Sequence, residues 1–141
     1  MQDRPSVSEL LELAAQFLER EIVPITDGAR QFQARVVANV MRIITRELEL
    51  EERQLREEIS ALAALLNRTV PAAEGLAQAR ATAVALNAEL SERIRGGDAD
   101  RGPWRRDVLN VVRKLVEEKL TVANPRYLEA DRAARARAHA G

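Results

Sequence analysis

The chain has 141 residues, no cysteine and one histidine, and its 22 basic and 22 acidic side chains cancel to a net charge of zero. That composition excludes disulfides, thiolate metal sites and cysteine nucleophiles. The balanced charge and the 3% aromatic content give no general pull toward nucleic acid or an anionic membrane, and little to stack on bases.

A chain of this length buries roughly two-thirds of its unfolded surface and is expected to form one domain without staples. No apolar run is long enough for a transmembrane helix. The opening MQDRPSVSEL lacks a basic region followed by an apolar core, so no secretory leader is expected and the expected location is the cytoplasm. Ala, Leu, Glu and Arg dominate, all strong helix formers.

Residues 1–7 read as an entry arm, because Arg4 precedes Pro5 and is biased away from helix. Ser6 and Glu9 have the spacing of a capping box, with Ser8 as the competing cap. The first helix is expected to run to about Glu21, with Leu10, Leu13, Ala14 and Phe17 inward, Leu11 and Leu18 flanking, and Glu12, Glu19 and Arg20 opposite. Pro24 should end or kink it. Ile22, Val23 and Ile25 should lie against the core, and Thr26-Asp27-Gly28 reads as a turn and a new start.

The segment from Phe32 to Leu50 carries the longest helical periodicity. Phe32, Val36, Val40 and Ile43 form one line, and Val37, Met41, Ile44 and Leu48 a second beside it. Two adjacent lines make a stripe wide enough to face a protein core. Arg35 and Asn39, four apart, are read on the same inner side. They either pair with a carboxylate and a neighbouring helix end or line a polar groove for a partner. Asn87 and Asn110 pose the same choice. A break is expected near residue 49, because Leu48 and Leu50 cannot share a stripe. The third helix, about 51–67, places Leu55, Ile59, Leu62 and Leu66 in line, with Glu51, Glu52, Arg53, Arg56, Glu57 and Glu58 toward water. The acidic run at Glu47, Glu49, Glu51 and Glu52 reads as a solvated face rather than a cation site.

A fourth helix is expected over about 72–95, with Leu76, Ala79, Ala83, Leu86, Leu90 and Ile94 inward. Gly96-Gly97-Asp98 ends it, and Arg93 and Arg95 suit its negative end. Pro103 starts a fifth helix, about 103–122, with Trp104, Val108, Val111, Val112, Leu115 and Leu120 inward. Asn124-Pro125 stops it, and Tyr127 and Leu128 should fold back onto the bundle. The expected fold is therefore all-α: a five-helix bundle in a single domain over residues 1–128, with a poorly ordered charged tail over 129–141.

Little of this serves catalysis. The lone His139 stands at the end of the chain, there is no inward Glu-x-x-His pair, and Gly96-Gly97 is no phosphate loop. No enzyme, cofactor or metal is expected.

Several stretches resemble a family of short bacterial proteins. These are Asp3-Arg4-Pro5 with Glu9-Leu10-Leu11, Phe32-x-x-Arg35-Val36-x-Ala38-Asn39, Arg46-Glu47-Leu48-Glu49-Leu50, Leu86-Asn87-x-x-Leu90, and Lys119-Leu120 with Ala123-Asn124-Pro125-Arg126-Tyr127-Leu128. The resemblance spans roughly residues 2–128, with the Asn-Pro-Arg-Tyr-Leu ending as its most specific part; Arg101–Arg106 and the tail depart from it. Members of that family are typically encoded beside a kinase resembling aminoglycoside phosphotransferases and an enzyme resembling acyl-CoA dehydrogenases. The resemblance implies a role in catabolism of hydroxylated acyl-CoA esters, as a non-catalytic accessory subunit supporting the kinase. The matching side chains Arg4, Arg35, Asn39, Arg46, Asn124, Arg126 and Tyr127 are the candidate partner-binding residues; alternatively they tie the termini to the central helix. Two other readings stay open. One is a small-molecule or acyl-chain binding module with an apolar cavity near Ala79, Ala83 and Leu86. The other is a self-associating bundle, of which a homodimer is the simplest form.

Overall fold

A computed structural model describes residues 4–139. Asp3 of the Asp-Arg-Pro opening, the start of the entry arm and the last two residues of the tail lie outside the described residues. The described residues are all-α, with five α-helices and no strand: α1 Val7–Phe17, α2 Gly28–Leu66, α3 Leu76–Arg95, α4 Pro103–Ala123 and α5 Pro125–His139. None of these helices is long and apolar enough to cross a membrane.

The helix count matches the expectation, but the elements differ in several places, two of them large. The expected break near residue 49 does not occur, and α2 runs through it for 39 residues. No Gly or Pro interrupts that stretch, so nothing opposes continuation once the backbone is helical. The fifth helix comes from the charged segment expected to fray. Asn124 Oδ1 accepts from the Tyr127 backbone N–H at 3.1 Å, and Pro125 takes the first helical position. Leu128 is buried, and Arg132 and Arg135 reach Glu117 on α4 at 3.1 and 3.5 Å. One anchored leucine and a carboxylate shared by two guanidinium groups suffice to order a segment already rich in helix formers.

The chain divides into two compact units, one up to Leu50 and one from Glu51. In the first, the Ser6–Glu9 capping box is complete: Ser6 N donates to Glu9 Oε2 at 2.7 Å and Glu9 N to Ser6 Oγ at 3.3 Å. The helix loosens into a π-turn at Leu18–Ile22 and a 3-10 turn at Val23–Ile25 around Pro24, where the proline lacks a donor. Arg42 of α2 ties the pair together. It forks onto Glu19, with Nη2 to Oε2 at 2.7 Å, and lies 3.6 Å from Glu12 of α1. The buried residues of this unit are small: Ala15, Ala34 and Ala38.

In the second unit, Leu62 and Leu66 of α2, Leu86 and Leu90 of α3, and Val108 and Leu115 of α4 form the core. Ile59, Leu65, Val70, Ala99, Trp104 and Val111 pack around it. The six core residues, with Ile59, Trp104 and Val111, are inward positions the periodicity predicts; Leu65, Val70 and Ala99 are not among them, and Leu76, Ile94 and Val112, expected inward, are exposed at the rim. Trp104 Nε1 donates to the Leu65 carbonyl at 3.2 Å, and the Arg93 guanidinium lies 4.1 Å over the indole ring. The helix α2 ends at Asn67, whose positive φ suits an amide side chain better than a branched one. The chain then stays irregular to Gly75, so α3 starts four residues later than expected.

Candidate interaction surface

A helix turns 100° per residue, so positions opposite a buried line can be read directly. On α2, Ala34 and Ala38 mark the packed side of the first unit. Phe32, Val36, Val40 and Ile43 lie opposite them, and Val37, Ile44 and Leu48 carry the apolar stripe round one flank. Phe32 is 68% exposed, Val40 45%, and Leu48 55%. On α1, Ala15 is buried, while Leu10, Leu13 and Phe17 stand on the far side, each more than half exposed. The first unit is thus built inside out: its buried residues are alanines, while many of its large apolar side chains are exposed. Ile25, expected against the core, is also exposed.

This corrects the sequence reading of the inner faces. Phe32, Val36 and Val40, like Leu10, Leu13 and Phe17, are not core residues. The reason is helix separation. Alanines let two helices approach closely, and the close side then has no room for valine, leucine or phenylalanine.

Arg35 and Asn39, read as inward, are exposed. Together with the half-buried Arg46 they line one edge of the α2 stripe. A polar edge along an apolar centre is the layout of a protein–protein interface. Arg4 is exposed and borders an open groove of about 530 Å³ with Pro5, Glu9, Glu12, Leu13 and Gln16. In the second unit Asn124 caps α5, while Arg126 and Tyr127 are exposed on its first turn. Tyr127 therefore does not fold back, although Leu128 does. The seven candidates divide four to the first unit and three to the second, so neither unit alone holds them all.

A polar cluster that periodicity missed lies in the second unit. Glu58, expected in water, is buried. It accepts from Asn87 Nδ2 at 2.7 Å, and Lys119 Nζ lies 3.9 Å away. Asn87 also donates to the Ala83 carbonyl, so of its two open roles it takes the bonded one; Asn110 is exposed. Gln54 Nε2 bridges the Glu118 carbonyl and Thr121 Oγ1, each at 3.0 Å. Lys114 Nζ lies 3.6 Å from Glu57 and 3.5 Å from Glu118. Burial pushes the Glu118 carboxyl above its ordinary range; Lys114 opposes this and Glu57 adds to it. Glu51, also expected in water, is half-buried and held below its ordinary range by its hydrogen bonds to Arg80, one of them 2.7 Å long. The one signal for Glu58 was its place on the line of Leu55, Leu62 and Leu66.

A second groove, of about 710 Å³, lies between α2 and the start of α3, bounded by Ile59, Ala63, Val70, Leu76 and Ala79. Ala83 and Leu86, expected beside it, are buried in the unit instead.

Residues 24–127 match the family described as Domain of unknown function (DUF6285). The chain belongs to that family. The match takes in the α2 stripe, Arg35, Asn39, Arg46, the Glu58 cluster and the Asn-Pro-Arg-Tyr turn, and leaves α1 outside it. No curated protein and no solved structure matches the chain.

Proposed function

We propose that the chain is a non-catalytic accessory subunit that works by holding other proteins. The observation that carries this reading is the inside-out first unit. Exposed apolar side chains in unbroken lines are costly in water and mark a surface that is covered in use. On α1, Leu10, Leu13 and Phe17 stand at i, i+3 and i+7, the anchor spacing of a helix received by a groove. Arg4 and the adjoining groove add a charged edge. The proposed receiver is the kinase resembling aminoglycoside phosphotransferases that the family resemblance implies, acting on hydroxyacyl-CoA substrates.

Co-purification of the chain with that kinase, and kinase assays with and without it, test the reading. Expected is a stable complex that Leu13→Glu disrupts. Failure of the wild-type chain either to bind or to change the kinase's rate would sink it.

A second reading rests on the groove beside Ala79. Its volume, its apolar stretch from Ile59 to Ala79 and the guanidinium groups of Arg56 and Arg68 at its wall suit a small ligand or an acyl chain with a charged head. Calorimetric titration with an acyl-CoA would show saturable heat that Ala79→Trp removes; a flat titration ends this reading.

A further inference from the structure

The α2 stripe has a property that α1 lacks: its spacing is symmetric about Val40. Val37 and Ile43 lie three residues to either side, Val36 and Ile44 four, and Phe32 and Leu48 eight. Every one of these side chains is apolar, and six of the seven are more than two-fifths exposed. Seven residues to either side, on the line of Val40 itself, stand Gln33 and Glu47, both exposed.

We infer that this stripe is the contact between two copies of the chain, with the two α2 helices antiparallel and the two-fold axis at Val40. An isologous interface must be complementary to itself. Under this axis Val40 meets Val40 and Val36 of one copy meets Ile44 of the other, with Val37 level with Ile43 and, on the flanks, Phe32 level with Leu48. Gln33 meets Glu47, so an amide donor faces a carboxylate at both ends. A parallel pairing would set Glu47 against Glu47 and bring like charges together. No charged side chain stands within the central turns of the stripe, so nothing repels at the axis. The exposed side chains of the stripe, from Phe32 at 68% to Ile44 at 42%, supply apolar surface for such a contact to bury. The α1 line stays outside this contact, which leaves it for a different partner.

The chain has no cysteine, so single cysteines report the geometry cleanly. Val40→Cys alone should form a covalent dimer on oxidation, because the axis brings that residue onto its own copy. Val36→Cys chains mixed with Ile44→Cys chains should cross-link to each other, and each should fail to cross-link to itself. By analytical ultracentrifugation the wild-type chain should be a dimer. Val40→Glu should weaken it about 100-fold or more, since two carboxylates would meet at the axis. Val84→Glu, the same change at an exposed position on α3, should not. An unchanged far-UV spectrum for Val40→Glu separates lost association from lost folding. A wild-type chain monomeric across the concentration range, or Val36→Cys cross-linking to itself, overturns the inference. Capture of the kinase by the monomeric Val40→Glu chain, alongside loss of the dimer, supports it and leaves the kinase reading standing separately.

Discussion

Asn87 Nδ2 donates to Glu58 Oε1 at 2.7 Å, joining α3 to a carboxylate that α2 buries on its own apolar line. A buried carboxylate without donors is strongly disfavoured, so this amide decides whether Glu58 is tolerated there. Asn87→Leu should cost about 2 kcal/mol of stability in a denaturant titration, chiefly by stranding Glu58. Adding Glu58→Leu should recover part of that loss. A strictly additive double mutant would show that the two side chains act independently.

Leu62 and Val40 are both apolar positions of α2, but only Leu62 is fully buried. Leu62→Ala should lower stability by about 3 kcal/mol through the cavity it leaves. Val40→Ala, measured where the chain is monomeric, should change it by about 0.5 kcal/mol or less. Equal losses would mean that the stripe is packed within the chain after all.

Two carboxylates should move stability with pH in opposite senses. Glu118 has a raised folded pKa, so its charged form is penalised in the fold. That penalty is absent below the ordinary carboxylate value, grows as pH rises through the folded pKa, and is complete at neutral pH. Glu118→Gln should therefore raise the Tm at neutral pH and lose the advantage near about pH 4. Glu51 has a lowered folded pKa. Its contribution is present above the ordinary value and disappears as pH falls through the folded one. Arg80→Ala should lower the Tm at neutral pH and cease to matter in acid. Thermal melts across this range check both signs.

Asn124 supplies the side-chain acceptor at the start of α5. Asn124→Ala should cost about 1 kcal/mol of helix stability there. Amide exchange should quicken through α5 and stay unchanged in the core of α2, α3 and α4.

Much of this architecture was legible in the residues. The Ser6–Glu9 box, the stop at Gly96-Gly97, the start at Pro103 and the leucine line of the second unit follow from local rules that no tertiary contact overrides. The break near residue 49 is not real because loss of a shared stripe does not end a helix; only the backbone can do that. The face of the first unit could not be chosen from spacing. An apolar line states that something must cover it, and is silent on whether the cover comes from the same chain. The three small alanines held the missing information, since they mark where two helices come close. Glu58 escaped because charge argues for water; its place on the leucine line was the only local hint, and its partner Asn87 stands 29 residues away in sequence.

The alanine-lined first unit also constrains how much of this protein a cell can hold. Valines and leucines turned outward add an attraction between molecules that grows with concentration and with salting-out ions, so crowding or sulfate favours aggregation unless something covers them.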